Sequence, residues 1–224
     1  MNRHLVASVL LALILSPNRI AAAEADLRRL RIELVNSRQE VRERAADQLA
    51  QLGAMAVPTL MDALADRRTV QMVSDSTEQV DGWQAANALS KIGAPAVPAL
   101  ANALRNPLAA VRAQAATALG NMHEVALPAL PKHSLALNDR SSWVRLSSAN
   151  AIAKFGVKGE PAIRALTLRL EDPKANVRVW AADALGSIGD PARAAVPALQ
   201  RAALSNDPNL REAALQAIDK ITGK

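Results

Sequence analysis

The chain has 224 residues, half of them hydrophobic but only 2% aromatic, and it contains no cysteine. A core must therefore be assembled from Ala, Leu, Val and Ile, with neither disulfides nor a lipid-bearing cysteine to help. The formal charge of +6 is too small an excess to single out nucleic acid, and no phosphate-cradling glycine loop or nucleophile motif accompanies it.

The first segment has a composition of its own. Asn2-Arg3-His4 gives a polar, positive start, Leu5 to Leu15 an apolar run, and Ala21-Ala22-Ala23 a small-residue ending. This layout predicts a secretory signal peptide over residues 1–23, cleaved after Ala23, with the remaining domain at 24–224. The apolar run falls well short of the ~20 residues that span a bilayer, and Pro17 closes it. An uncleaved membrane anchor is the alternative, and Arg19 is untypical of a cleavage region. Setting aside Arg3 and Arg19 from the 27 Lys plus Arg leaves 25 against 21 Asp plus Glu, a net charge of +4. Export predicts a periplasmic or secreted protein of the bacterial envelope. Such a chain has no membrane span after cleavage and no cytosolic nucleic acid or cofactor as partner.

From residue 25 onward two kinds of segment alternate. One opens with proline, as in Ala56-Val57-Pro58, Ala96-Val97-Pro98, Ala126-Leu127-Pro128, Gly159-Glu160-Pro161 and Ala195-Val196-Pro197. Proline in a first helical turn loses no intrahelical bond, so these are helix starts. The other kind carries the pattern V-R-x-x-(A/S)-A-x-A-(L/I)-x-x-(I/F)-G, with Leu119, Ile152, Leu185 and Ile218 at a constant spacing of 33. It ends at Gly53, Gly93, Gly156 and Gly189, which fit the left-handed position past a helix end, and His123 and Thr222 hold the equivalent places. Calling the proline-led helix A and the V-R helix B, six pairs result. A lies near 25–36, 55–65, 95–105, 125–137, 159–171 and 193–204, and B near 40–52, 82–92, 109–121, 142–155, 175–188 and 208–221. A period of this length predicts a solenoid in which each unit buries the apolar face of its neighbour. Arg28, Arg29, Arg31 and Glu33 on the first helix suit a polar end cap. One insertion interrupts the period: Leu49 and Leu89 are 40 apart, with the extra length in Asp66 to Gly82, a polar loop with a small apolar patch at Val70, Met72 and Val73. Long loops in compact repeats are often functional, though a tolerated insertion reads the same way.

The five prolines, four glycines and V-R or L-R pairs in register resemble the HEAT repeat family over about residues 25 to 222. Within it they resemble the short, alanine-rich repeats also found in phycobilin (PBS) lyase subunits. The resemblance implies an all-α, right-handed armadillo/HEAT-type superhelix of about six helix pairs, with A helices convex and B helices concave. It implies a binding habit and no particular ligand. Among HEAT-like relatives, deoxyhypusine hydroxylase binds iron through several His-Glu pairs. This sequence has a single such pair, His123-Glu124, too few for a metal site.

Arg42, Arg112, Arg145, Arg178 and Arg211 form a column, one per repeat, each following a turn with Asn or Asp such as Asp172. Two readings are open: a basic track for an anionic polymer, or the ladder that HEAT-like repeats use to join neighbours, for which the planar guanidinium is suited. Gly82 breaks the column in the second repeat. Trp83, Trp143 and Trp180 stand in first turns of B helices, either as anchors for a partner or as covers for a neighbouring helix. Four residues along each B helix runs a polar column of Asp47, Asn87, Thr117, Asn150, Asp183 and Gln216, read as the concave solvent face. Together these predict a non-enzymatic protein–protein interaction module or scaffold without cofactor or metal. Its protein or peptide partner docks on Trp83, Trp180, Asn87, Asn150 and Asp183. A metal-dependent oxygenase or lyase-type enzyme and a purely structural spacer are the rival readings.

Overall fold

The computed structural model describes residues 17–36, 38–66 and 83–223, with side chains described from Ala23 onward. The apolar run of the leader, Gly82 and nearly all of the insertion lie outside the described residues. The rest comprises twelve α-helices and no strand among the described residues. In chain order they are α1 Pro17–Glu33, α2 Gln39–Gln51, α3 Val57–Leu64, α4 Gln84–Ile92, α5 Val97–Ala103 and α6 Ala109–Asn121. These are followed by α7 Leu130–Ala136, α8 Ser142–Lys154, α9 Ile163–Arg169, α10 Ala175–Ile188, α11 Val196–Ala202 and α12 Pro208–Thr222. Odd helices correspond to A and even helices to B. The backbone is already helical at Pro17, so α1 runs upstream of the expected start near residue 25 and through Ala23.

Each short odd helix after the first is preceded by a 3-10 turn. The two prolines expected to open α7 and α9, Pro128 and Pro161, lie inside these turns, which are seven residues long there. Proline at the second helical position is instead Pro58, Pro98, Pro131 and Pro197. Both placements respect the missing N–H, so proline alone does not distinguish them. The chain reverses after even helices through a left-handed residue, which is Gly156 (φ 55°) after α8 but His123 (φ 50°) after α6. At the end of α12 the expected Thr222 is still helical, and Gly223 (φ 74°) takes that conformation one residue later.

Packing is unequal on the two sides. Even helices lie side by side in close contact, while successive odd helices scarcely touch, so the stack curves with the even helices inside. Small residues permit the close approach: a Cβ on Gly120 would stand 2.7 Å from Ala151 Cα, and one on Gly186 2.9 Å from Ala217 Cα. Ser90 holds the same place on α4, its hydroxyl 3.0 Å from the Ala118 carbonyl. Behind this seam Leu49, Leu89, Leu119, Ile152 and Leu185 are fully buried, whereas Ile218 in α12 is half-buried. On the odd helices the matching column is Leu60, Leu100, His133, Leu166 and Leu199, all at 0% exposure. Four of these leucines each contribute roughly 1.5–3 kcal/mol of burial. His133 interrupts them.

Candidate functional site

The arginine column is a ladder of hydrogen bonds between turns. In each case Nη1 donates to the carbonyl of the turn residue three positions past the end of the preceding odd helix: Arg42 to Asn36 (2.8 Å), Arg112 to Asn106 (2.8 Å), Arg145 to Asp139, Arg178 to Asp172 and Arg211 to Ser205 (2.9 Å each). Arg112 and Arg145 also reach one repeat forward with both prongs. Arg112 donates through Nε and Nη2 to both carboxylate oxygens of Asp139 (2.7 and 2.8 Å), and Arg145 does the same to Asp172 (2.7 Å each). Asp172 is thus the forward partner of Arg145, and Arg178 meets only its carbonyl. Burial alone would raise the Asp172 carboxyl. The Arg145 hydrogen bonds, the Lys174 N–H and the charges of Arg145 and Arg169 outweigh it and hold the group below the usual carboxylate range. Such buried, two-pronged pairs lock one repeat against the next. Where Gly82 removes the arginine, the following turn carries the neutral Asn106.

The polar column runs along the inside of the curve. Asp47, Asn87 and Gln216 are exposed, and Thr117, Asn150 and Asp183 are half-buried toward the middle of the stack. Between α2 and α4 a cavity of about 310 Å³ is lined by Glu43, Asp47, Gln84, Asn87 and Lys91. Lys91 pairs with Asp47 of the preceding repeat, and Lys154 donates to Asn121. Burial raises the Asp183 carboxyl above its ordinary value, opposed by the charge of Lys220.

The tryptophans divide. Trp83 precedes Asn87 by one helical turn and so shares the solvent stripe of α4. It is half-buried against the core, its Nε1 has no hydrogen-bond partner, and its ring meets Trp143 edge-on at 6.4 Å. Trp143 covers Ala113, Ala136 and Val144. Trp180, also half-buried on the core, precedes the buried Ala184 and shares its register with buried Gln114, Ser147 and Ala213. It belongs to the packed stripe of α10, so the structure does not bring Trp83 and Trp180 onto one surface.

Neither remaining histidine joins a ligand set. His123 Nδ1 lies 3.3 Å from the Lys154 carbonyl, and Glu124 pairs with Lys158. His133 is enclosed against Phe155, ring centroids 5.7 Å apart, and burial lowers its pKa to about 4. Among the described residues no three His, Asp or Glu side chains gather where they could hold a metal ion, and no helix is long and apolar enough to cross a membrane. Sequence reasoning missed His133, although its coincidence with the leucine column was the available signal.

Family comparison agrees with this architecture. HEAT repeats match residues 97–178 and 163–224, and the PBS lyase HEAT-like repeat matches residues 41–66 and 83–106. The chain belongs to the HEAT repeat family. No curated protein is significantly similar in sequence. Among solved structures, a designed armadillo repeat protein in complex with the peptide (KR)4 is 19% identical, with 87% of this chain and 99% of that chain covered at a TM-score of 0.58. Kap121p is 17% identical at a TM-score of 0.66; 90% of this chain is covered, spanning 26% of Kap121p. At such identities the likeness is one of fold.

Proposed function

We propose that this is an exported, non-enzymatic interaction module that holds a protein or peptide partner along the inside of its curve. The observation that carries the reading is the stripe itself: one line of side chains on the even helices stays polar, exposed at both ends of the stack and half-buried in the middle, with Trp83 beside it. Asn87, Asn150 and Asp183 supply hydrogen-bonding groups there, and the half-buried indole supplies area that loses little entropy on binding. Trp180 supports the frame. The designed armadillo repeat protein of like fold, in complex with the peptide (KR)4, is in keeping with this use of such a surface. Export rests on the composition of residues 1–23.

The test is a crosslinked pull-down from envelope extracts, followed by affinity measurement with the partner recovered. Trp83→Ala combined with Asn87→Ala keeps the helical fold and weakens binding at least about thirtyfold, whereas Trp180→Ala lowers the melting temperature. A folded double variant that binds normally removes the groove reading. N-terminal sequencing of the exported protein should begin at Glu24, and recovery of Met1 from a membrane fraction would overturn the signal.

A further inference from the structure

Five turns share one hydrogen bond that fixes their register. A side-chain oxygen of Asn36, Asn106, Asp139, Asp172 and Ser205 accepts the N–H two residues on, from Arg38 (2.9 Å), Leu108 (2.9 Å), Ser141 (2.8 Å), Lys174 (3.0 Å) and Asp207 (3.2 Å). Asp139 and Asp172 use the same carboxylate to receive the arginine of the preceding repeat. Arg178 is next in line, and the turn ahead of it carries Ser205, which keeps the turn and lacks the carboxylate. Asp207, two residues further, only partly replaces it. Its Oδ1 caps α12 at Asn209 and Leu210, and its Oδ2 stands 3.4 Å from Arg178 Nη2.

The place is also more open, because Ala198 and Ser205 stand where Lys132 and Asp139 stand two repeats earlier. Beside Asp139 the cavity between Arg105, Lys132 and Leu135 is about 130 Å³. At the corresponding place beside Ser205 it is about 500 Å³, lined by Leu170, Pro173, Arg178, Arg201, Ser205 and Leu210 among others. Arg178 and Arg201 bring two guanidinium groups to it. The Asp172 carboxylate, fully buried, is spent on Arg145 and Arg169, while Glu171 is exposed beside it. Two forks, one of them partly engaged by Asp207, against one rim carboxylate suit a single negative charge better than a phosphate, and the apolar walls suit chain on either side of it. We propose that this broken rung is a docking site for one aspartate or glutamate side chain of a protein or peptide partner, which completes the ladder from outside. The site lies on the turn edge, apart from the inner groove, and does not depend on that surface being used.

The probe is a blocked pentapeptide, Ala-Ala-Asp-Ala-Ala, titrated into the ¹⁵N-labelled full chain and followed by NMR, with the Asn peptide as comparison. The Asp peptide should shift amides around Asp172, Arg178, Arg201 and Ser205 and bind at least about tenfold more tightly than the Asn peptide, the usual gain of a charge-assisted hydrogen bond. Ser205→Asp supplies the carboxylate from within. It should raise the melting temperature and weaken the peptide about tenfold or more, while Ser187→Asp, with the same charge change at an exposed position of α10, should do neither. Equal binding by the Ser205→Asp and parent proteins overturns the proposal. So does equal weakening by Ser187→Asp, or the absence of localised shifts at millimolar peptide.

Discussion

His133 stands in a column of buried leucines with both ring nitrogens unpartnered, and it is stable there only as the neutral imidazole. Its folded pKa of about 4 lies below the ordinary value of 6.5, so the unfolded chain takes up a proton before the folded one does. Stability is unaffected above pH 6.5 and declines as pH falls toward 4, by on the order of 3 kcal/mol at the lower end. His133→Leu should raise the melting temperature at pH 7 and abolish this limb in urea titrations across pH 4 to 7. An unchanged slope would show that the ring is solvated. A second acid limb should persist below pH 4 in that variant, because the depressed carboxyls of Asp139 and Asp172 stabilise the fold only while ionised. The weight of the ladder can be read from its ends. Asp172→Ala strands the buried Arg145 and should cost about 3 kcal/mol or more. Arg211→Ala, exposed and bonded to the Ser205 carbonyl, should cost under about 1 kcal/mol.

At the scale of elements, the small-residue seam decides how closely even helices approach. Gly120→Val would gain helix propensity but force a methyl-bearing carbon into the Ala151 backbone. Overpacking wins, and chemical denaturation should show a loss of about 2 kcal/mol. The alternation of helices and the leucine columns were legible in the sequence because a period of 33 and helical spacing leave little else for those residues to do. The prolines misled at α7 and α9, since a 3-10 lead accepts Pro128 and Pro161 as readily as a helix start accepts Pro131. The ladder's arginines were visible, but the forward bond from Arg145 to Asp172 spans 27 residues and belongs to stacking. Trp180 differs from Trp83 by one position in register, enough to turn a solvent stripe into a packed one.

Across the whole molecule, protection is unevenly distributed. Ten of the thirteen residues of α6 are buried, and seven in each of α8 and α10, whereas in α12 Leu215 remains exposed. In a one-dimensional stack each repeat is held only by its neighbours, so opening begins at the ends. Hydrogen exchange should be slowest in α6, α8 and α10 and fastest in α1 and α12, and a uniform profile would contradict nearest-neighbour coupling. The proposed occupant of the inner surface was the least legible feature, because nothing within the chain constrains the choice of solvent-facing side chains.

The unequal packing of the two sides gives the solenoid the mechanics of a leaf spring. The even helices form a tight, nearly inextensible strip, with Gly120 and Gly186 seated on the neighbouring backbone, while the odd helices meet one another mainly through the 3-10 turns that lead them. Bending then changes the outer gaps at little energetic cost and leaves the inner contacts intact. Groove width can thus adapt to an occupant by small rotations shared over many repeats, so that compliance resides in helices the occupant never touches.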